Sequence, residues 1–413
     1  MNELIYRRDT CRLCGSRNLE LVLKLKPSPI GDAYVPAEKL HIVQKSYPVD
    51  LFLCDECGHA QLIDVIDPKI LYTDYIYLTS SSLGLVEHFK KYAEEALNEI
   101  NPPKGALVVD IGSNDGSLLS FFKMKGMRVL GIDPARQIAL DTIKIGIETL
   151  PEFFTLELAK KIKKERGSAM IVTANNVLSN VDDLNSLILA IRGLLDSRGV
   201  IICEVFYLAD LIQNMVFDYI YHEHLDYHSV KPLNNFFKLN GLELINIKPI
   251  PTKCGSLRCT VQFANGPRMI SESVKKQIAF EENFGLHSKK AFREFNDKIT
   301  NAKNELVGFL RKIKSEGKTV VAYGASVTCT ALINHFELDE FFDFLVDDNQ
   351  QRQGLYSPGL HLPVLSPQAI YDKKVDCVVI LAWRYAEPII NKNKKFLEIG
   401  GHFIVPLPKI RVI

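Results

Sequence analysis

The sequence predicts an α/β protein with a small cysteine-rich module at the amino terminus, a central Rossmann-like domain and a second Rossmann-like unit at the carboxyl terminus. Two Cys-x-x-Cys pairs lie near the start of the chain, within residues 11–57. Farther along, two apolar segments that end near residues 109 and 323 each lead into a turn of small residues followed by a helical pattern. With 413 residues, the chain is too long for one hydrophobic core, so two or three domains are expected.

The central domain is predicted first from the segment Asp110–Gly116, with sequence DIGSNDG, which follows the apolar run Ala106–Val109. A buried strand that turns into a helix N-terminus presents backbone N–H groups that can cradle a ligand. The spacing is acid-x-Gly-x-Gly-x-Gly with asparagine in the middle place, and asparagine tolerates a positive φ well. We interpret the segment as an S-adenosylmethionine site. Its predicted cofactor-binding residues are Asp110, Gly112, Asn114 and Gly116.

Two further apolar strands are predicted to end in polar residues at the same edge of the sheet. Met127–Ile132 ends at Asp133, where an α/β cofactor domain places an acid for the ribose hydroxyls. Ala169–Thr173 is followed by Asn175 and Asn176. Open sheets bind ligands at the carboxyl ends of their strands, so these side chains are also predicted to bind the cofactor. Surface loops that bind nothing are the alternative.

The first four of the nine cysteines are arranged as two knuckles, Cys11-x-x-Cys14 and Cys54-x-x-Cys57. Four thiolates in this pattern can surround Zn²⁺ tetrahedrally, and Gly15 and Gly58 allow the tight turns that follow each pair. A closed four-sulfur site has no open position, so the metal is predicted to be structural. Four unligated thiols that share this spacing by chance are the alternative. The other five cysteines are expected mostly in apolar strands of the core.

Composition excludes several classes of protein. The formal net charge is +1 without a long basic block, which argues against a nucleic-acid partner. No apolar stretch approaches membrane-spanning length, and the first eight residues lack a signal-peptide pattern. We therefore expect a cytoplasmic enzyme with a small-molecule substrate and no membrane partner. The sequence leaves the oligomeric state open, with a monomer as one option.

Elements outside the cofactor segment follow from periodicity and helix breakers. An amphipathic helix is predicted from Gly84 to Ile100, where Asn101 and two prolines stop it. Leu242–Ile247 and Leu257–Phe263 are predicted as a final pair of strands. The charged segment Ser271–Glu316 is predicted as a helical connector to the second α/β unit.

The second α/β unit starts with Thr319–Ser326, another strand that leads into a small-residue turn and a helix. It continues through Phe344–Asn349 and Val375–Trp383. The third glycine of a nicotinamide dinucleotide turn is missing. This unit is therefore either a second ligand-binding domain or a scaffold.

The segment Phe217–His228 has the composition of a catalytic centre, with three of the ten histidines of the chain, a glutamate and several tyrosines. Tyr221, Glu223 and His224 could supply a phenol, an orienting carboxylate and a general base. A metal site is one alternative, although the two histidines of His222-Glu-His224 lack the one-turn separation of H-E-x-x-H. A solvated polar loop is the other.

The chain resembles the sugar C-methyltransferases of deoxysugar and antibiotic biosynthesis over essentially its whole length. The motifs that carry the resemblance are the paired Cys-x-x-Cys, the aromatic link Tyr75-x-Tyr77, Ile111–Leu119, Asn175–Leu178, Tyr221–His224 and Tyr323–Ser326. The resemblance implies a zinc-binding domain at 1–78, a class I S-adenosylmethionine-dependent methyltransferase domain at 79–270 and a Rossmann-like substrate-binding domain at 271–413. It also implies a nucleotide-linked 4-keto-6-deoxysugar that is methylated at C3.

By this resemblance, His224 is the base that removes the proton next to the ketone. Glu223 orients or tunes His224, while Tyr221 and Tyr75 bind the sugar or its enolate oxygen. Asn180 stands where the family has a histidine of the active site. Asparagine can donate a hydrogen bond to an oxyanion but cannot transfer a proton near neutral pH.

Two further departures lie where the substrate is expected. Thr252-Lys-Cys-Gly replaces Thr-His-Gly-Gly, and Val327-Thr-Cys replaces Ala-Lys-Gly after Ser326. These changes favour an altered substrate or step. The alternatives to carbon methylation of a keto sugar are a cofactor-binding protein with altered or lost catalysis and a methyltransferase for another acceptor, such as a hydroxyl.

Overall fold

The computed structural model describes residues 5–72, 77–82 and 84–413. These residues divide into two compact units, each built from separate stretches of the chain. The first unit contains the described residues up to Glu20, together with Leu53–Asp210 and Leu225–His287. The second contains Leu21–Phe52, Leu211–His224 and Ser288–Ile413.

The amino-terminal part consists of short strands and one short helix. They are β1 (Ile5–Arg7), β2 (Leu19–Leu23), β3 (Leu51–Cys54), β4 (Ala60–Leu62), β5 (Asp64–Ile66) and α1 (Pro68–Tyr72). Strands β1 and β5 pair in antiparallel fashion, with Tyr6 opposite Val65. The chain passes from one unit to the other within β2 and again within β3.

The central part of the first unit alternates strands and helices, as the sequence predicts. Its elements are α2 (Leu85–Ile100), β6 (Leu107–Ile111), α3 (Ser117–Met124), β7 (Arg128–Ile132), α4 (Arg136–Lys144), β8 (Thr149–Leu150), α5 (Leu156–Arg166), β9 (Ala169–Asn175), α6 (Leu184–Leu194), β10 (Leu195–Phe206), α7 (Leu208–Gln213), β11 (Asp226–Tyr227), α8 (Val230–Leu239), β12 (Leu242–Ile250), β13 (Ser256–Phe263) and α9 (Glu272–Phe284). Helix α7 extends across the boundary into the second unit.

Seven of these strands form one sheet in the order β12-β13-β10-β9-β6-β7-β8. Strand β13 runs antiparallel to both of its neighbours, and the other strands are parallel to one another. This order and this single reversed strand are those of the class I methyltransferase fold. The predicted class of the central domain is therefore confirmed, and the carboxyl ends of β6, β9 and β10 share one edge.

Helix α2 agrees with its prediction to within one residue. It follows Gly84, whose φ is 77°, and it ends before Asn101, whose φ is 47°. Both residues adopt the left-handed conformation that suits glycine and asparagine at helix ends. The apolar face of α2, including Phe89 and Tyr92, packs against α3 and the sheet in a continuous hydrophobic core.

The second unit contains a smaller sheet of six strands. Its elements are α10 (Lys289–Ser315), β14 (Val320–Tyr323), α11 (Val327–Phe336), β15 (Leu345–Val346), β16 (Val364–Leu365), α12 (Ala369–Asp372), β17 (Cys377–Ile380), α13 (Ala386–Lys392), α14 (Lys394–Glu398), β18 (His402–Val405) and β19 (Arg411–Val412). The strand order is β16-β15-β14-β17-β18-β19, with β19 antiparallel and the others parallel. This is a Rossmann order, which confirms the predicted second α/β unit.

The structure confirms two further expectations and adds detail to each. The predicted connector Ser271–Glu316 consists of two helices, because the chain leaves α9 at Gly285, whose φ is 69°. Of the five cysteines expected mostly in strands, Cys329 lies buried in α11 and Cys254 lies half-buried in a 3-10 turn, whereas the other three lie in strands.

None of the helices in the described parts of the chain combines the length and the apolar character needed to cross a membrane.

Arg12, inside the first cysteine knuckle, anchors the amino-terminal module to the rest of the first unit. Its side chain is fully buried. Its Nη1 donates to the carbonyl oxygen of Leu62 at 2.5 Å, and its Nε donates to Asp182 Oδ1 at 2.9 Å. Asp226, which is also fully buried, lies 3.7 Å from Nε. Because Asp226 belongs to β11, which pairs with β4, one guanidinium connects three separate stretches of chain.

We expect Arg12→Met to lower the free energy of unfolding by about 3–5 kcal/mol, because it leaves a buried carboxylate without its cation. Arg17→Met is the matched control: Arg17 lies in the same module, but its ion pair with Asp9 is exposed. That control should cost less than about 1 kcal/mol. Urea unfolding of zinc-loaded protein measures both values. Equal stability of the two variants would contradict the anchoring role of Arg12.

Candidate functional site

The four predicted zinc ligands, Cys11, Cys14, Cys54 and Cys57, come together in the first unit. Their sulfur atoms all lie within 4.8 Å of one another. The Sγ atoms of Cys11 and Cys57 are 3.6 Å apart, as are those of Cys14 and Cys54. Four sulfurs at about 2.3 Å from a tetrahedral Zn²⁺ lie about 3.8 Å apart. The cluster therefore fits zinc, and among the described residues no second group of this kind is found.

The two knuckles share one backbone pattern. In each, the first cysteine donates its N–H to a carbonyl five residues later, at Ser16 or His59, in both cases at 2.8 Å. The glycine after each pair has a left-handed φ, 75° at Gly15 and 78° at Gly58. The turns predicted from these glycines are confirmed. A Cβ at Gly58 would also lie only 2.8 Å from the side chain of His287.

The predicted cofactor turn has the backbone conformation that its sequence demands. The φ angles are 70° at Gly112, 49° at Asn114 and 71° at Gly116. A Cβ at Gly112 would lie 2.6 Å from Val177, so close packing also requires glycine there. The asparagine in the middle place therefore preserves the left-handed turn.

The side chain of Asn114 also forms two hydrogen bonds that the sequence does not indicate. Its Oδ1 accepts a hydrogen bond from the N–H of Thr79 at 2.8 Å, and its Nδ2 donates to the carbonyl of Tyr77 at 2.9 Å. Both contacts are to the backbone, so the amide side chain fixes the segment 77–79 against the turn. A glycine at this position could not make either bond.

Two buried acids lie beside this turn. Asp133 accepts the N–H of Asn114 at 2.8 Å and the N–H of Ala135 at 2.9 Å, one on each oxygen. Asp110 accepts the hydroxyl of Thr173 at 2.6 Å. Burial raises the pKa of Asp110 to about 7 and also raises the pKa of Asp133. A cationic ligand at this edge would favour the ionised form of both acids.

Several buried polar atoms at the same edge have no hydrogen-bond partner among the residues that the structure describes. They are Ser113 Oγ, Asn175 Nδ2, Asn176 Oδ1, Ser179 Oγ and Asn180 Oδ1. A buried polar group without a partner costs about 1–3 kcal/mol, so such a group calls for a ligand or a water molecule. This concentration of free donors and acceptors fits a polar ligand. The cofactor-binding roles of Asn175 and Asn176 stay predictions.

Tyr221 and His224 come together in the second unit. The Nδ1 of His224 lies 2.9 Å from the carbonyl oxygen of Tyr219, and its Nε2 lies 3.1 Å from the hydroxyl of Tyr221. A carbonyl can only accept, so Nδ1 carries the proton and the lone pair of Nε2 faces the phenol. The ring centroids of Tyr221 and His224 are 4.1 Å apart.

Glu223 and His222 are also buried in the second unit. Burial, reinforced by the charge of Asp32, raises the pKa of Glu223 to about 8, against the opposing effect of Arg352. His222 Nε2 lies 3.2 Å from the carbonyl oxygen of Tyr47, and burial lowers the pKa of His222 to about 4. The predicted orienting role of Glu223 toward His224 stays a prediction. Tyr75, the other predicted sugar-binding phenol, lies outside the described residues.

The remainder of the motif, from Leu225 onward, belongs to the first unit. The N–H of Leu225 donates to the carbonyl of Ser179 at 2.6 Å, and its carbonyl accepts from Leu62 at 2.8 Å. Asp226 accepts from His59 Nε2 at 2.6 Å, and His228 stacks on His59. The residue after His224 is thus hydrogen-bonded both to the turn that carries Asn180 and to the cysteine module.

Comparison with known proteins defines the class. A zinc-binding domain model matches residues 11–72, a methyltransferase domain model matches 85–247 and a C-methyltransferase C-terminal domain model matches 251–408. The C-methyltransferase NovU of Streptomyces niveus is 31% identical over 414 aligned residues, which span 100% of this chain and 99% of NovU.

Among solved structures, the PH0226 protein of Pyrococcus horikoshii OT3 matches 45% of this chain and 94% of its own, with 12% identity and a TM-score of 0.38. The magnesium protoporphyrin IX methyltransferase of Synechocystis PCC 6803 matches 44% of this chain and 84% of its own, with 16% identity and a TM-score of 0.35.

The fold and the matched domains define an S-adenosylmethionine-dependent methyltransferase with a zinc-binding domain. The chain belongs to the C-methyltransferase family that includes NovU. The expected class of enzyme, its cofactor and its structural zinc are thereby confirmed.

Several residues that shape the site carry no sequence signal for their roles. Arg12 looks like an ordinary surface residue within a cysteine knuckle, and the partners of Asn114 have no sequence pattern of their own. Lys253 is recognisable as a departure from the family motif, but its surroundings are not.

We expect Cys11→Ser to lower the zinc content from about one ion per chain to a small fraction, since three thiolates hold zinc much less tightly than four. Cys254→Ser, outside the cluster, should keep its zinc. Elemental analysis of the purified variants measures the difference. Full zinc occupancy in Cys11→Ser would show that the cluster is not the metal site.

We expect Asn114→Ala to lower the free energy of unfolding by about 2–4 kcal/mol, because it removes two hydrogen bonds and leaves alanine at a positive φ. Asn265→Ala is the control, since Asn265 is exposed with a φ of 60°. It should cost only the backbone strain, about 1 kcal/mol. Asn114→Gly separates the two causes, because glycine removes the bonds without the strain. Equal losses in both alanine variants would exclude a tethering role for the amide.

Proposed function

We propose that this C-methyltransferase methylates a carbon beside a ketone, in a nucleotide-linked 4-keto-6-deoxysugar or a similar keto compound. The membership of its family supports carbon as the methyl acceptor. The observation that carries the proposal is the hydrogen-bonding pattern of His224, which leaves Nε2 as the basic atom. A reaction at such a carbon requires a base, whereas a binding protein does not.

The base in this proposal is His224. A ketone acidifies the adjacent C–H bond, and Nε2 of His224 accepts that proton while the carbonyl of Tyr219 holds the ring through Nδ1. The resulting imidazolium donates from both nitrogens. General-base catalysis by a positioned histidine contributes roughly 10²–10⁴-fold.

Tyr221 and Glu223 are proposed to supply hydrogen bonds. The phenol of Tyr221 donates to Nε2 in the resting state, and it is proposed to donate to the enolate oxygen once Nε2 is protonated. With a pKa of about 8, Glu223 is largely protonated at pH 7 and can donate as well. Asn180 and Tyr75 are proposed as further contacts to the sugar, and the free Oδ1 of Asn180 supports the former.

When bound, S-adenosylmethionine supplies a methyl group that its sulfonium makes ready for displacement. We propose that Asp110, Gly112, Asn114, Gly116, Asp133, Asn175 and Asn176 hold it. The left-handed turn, the two buried acids and the free amide atoms support this assignment. The domain limits 1–78, 79–270 and 271–413 also stay predictions.

We expect His224→Asn to slow both methyl transfer and solvent deuterium exchange at the acceptor carbon by at least about 100-fold, because asparagine cannot accept the proton. Affinity for S-adenosylhomocysteine should stay within a few-fold. His41→Asn, at an exposed histidine, is the control. Mass spectrometry follows exchange and methylation over a panel of nucleotide-linked keto sugars.

Undiminished exchange in His224→Asn would remove His224 as the base. Methylation by the wild type without any exchange at carbon, with the methyl group on oxygen, would favour a hydroxyl acceptor. Cofactor binding without methylation of any keto compound would favour the binding protein.

A further inference from the structure

Lys253 lies at the cofactor edge of the central sheet. In the pairing of β10 with β13, Phe206 is opposite Ser256, so the start of β13 meets the carboxyl end of β10. That end shares an edge with Gly112 and Asn175, at the carboxyl ends of β6 and β9. The turn Thr252–Cys254 that precedes β13 therefore lies beside the predicted cofactor site.

The backbone of this turn is strained and firmly held. Lys253 and Cys254 have φ angles of 54° and 67°, in the left-handed region that costs a non-glycine residue about 1 kcal/mol or more. Gly255 donates to the carbonyl of Thr252 at 3.0 Å and accepts from the N–H of Tyr207 at 3.3 Å. A Cβ at Gly255 would lie 2.2 Å from the side chain of Asp210. The turn thus fixes the direction in which the side chain of Lys253 leaves the backbone.

The ammonium group of Lys253 has aromatic neighbours but no acceptor. Its Nζ lies 5.6 Å from the ring centroid of Tyr77 and 5.5 Å from that of Phe206. Within the described parts of the chain, no hydrogen bond or ion pair satisfies its three N–H donors. Burial lowers the pKa of Lys253 to about 8, against the opposing charge of Glu204. A half-buried ammonium that contacts only π faces is suited to an anionic oxygen that arrives with a ligand.

Tyr77 connects this cation to the cofactor turn. The carbonyl of Tyr77 accepts the amide of Asn114, so one of the two rings that contact the ammonium belongs to a residue held by the turn itself. We propose that Lys253 binds the acceptor oxygen that becomes negatively charged when the proton beside the ketone is removed. This inference rests on the proposed function. It names a residue outside the Tyr221–His224 pair as the one that stabilises the negative charge of the enolate.

The chemistry balances without a further reactant. The C–H bond breaks, its electron pair forms the C=C bond of the enolate, and the carbonyl π pair moves to oxygen, where Lys253 donates a hydrogen bond without giving up its proton. The proton goes to the base. When the carbon takes the methyl group, the S–C bond to that methyl breaks with its electron pair left on sulfur, the enolate pair returns from oxygen and the ketone re-forms. Loss of one such donor from an oxyanion site typically costs about 10²–10³-fold in rate.

The test compares Lys253→Met and Lys253→Arg with Lys248→Met, whose lysine is exposed on β12 and pairs with Glu95. For a keto sugar that the wild type methylates, Lys253→Met should lower deuterium exchange and methyl transfer by about 100-fold. Lys253→Arg, which keeps the charge, should lose less than about 10-fold, and Lys248→Met should match the wild type. Calorimetry should show affinity for S-adenosylhomocysteine within a few-fold in all variants.

Unchanged exchange in Lys253→Met would overturn the inference. So would a loss of S-adenosylhomocysteine affinity as large as the loss of rate, since Lys253 would then bind the carboxylate of the cofactor. If the wild type methylates no keto sugar, the proposed function fails, and a second measurement decides the role of Lys253. Saturable protection of Lys253 from acetic anhydride by oxalate, an enolate mimic, in S-adenosylhomocysteine-loaded protein would support anion binding, and no protection would overturn it.

Discussion

The buried positive charge of Arg12 is the constraint on which the arrangement of the first unit depends. One guanidinium, fully removed from water, has to be matched by carboxylates and carbonyls that come from distant parts of the chain: Leu62, Asp182 and Asp226. Unpaired, such a charge would destabilise the fold by several kcal/mol, so the cysteine module and β11 are held in one register. That register fixes Leu225, which bonds to Ser179 beside Asn180 and directly follows His224.

The zinc cluster holds the knuckle that carries Arg12. A structural metal thereby contributes to the position of β11 within the first unit.

The cofactor edge shows how one residue can serve two purposes. Asn114 tolerates the left-handed turn almost as well as glycine, and its amide also binds the backbone of residues 77–79. The same segment brings the ring of Tyr77 to Lys253. The turn, the aromatic segment and the cation therefore form one connected structure at the carboxyl ends of the parallel strands. Two buried acids with raised pKa values complete an environment that favours a cationic ligand.

The features that the sequence predicts well are those fixed by local spacing. Two Cys-x-x-Cys pairs, each followed by glycine, indicate a pair of metal knuckles, and an apolar run that ends in DIGSNDG indicates a strand, a turn and a helix. Local spacing could not distinguish the roles of the three histidines within Phe217–His228. The chain passes from the second unit to the first between His224 and Leu225, so His222 and His228 enter different buried environments. The burial of Arg12 and the aromatic contacts of the Lys253 ammonium depend in part on residues more than a hundred positions away, such as Asp182 and Tyr77, which local patterns do not encode.

The claim that the edge built by Asp110–Gly116 binds S-adenosylmethionine can be tested by titration calorimetry of the zinc-loaded wild type with S-adenosylhomocysteine. We expect saturable binding at about one site per chain, with a negative heat-capacity change as the ligand is buried. Absence of binding at two temperatures, in protein shown to be folded and to contain zinc, would contradict the claim.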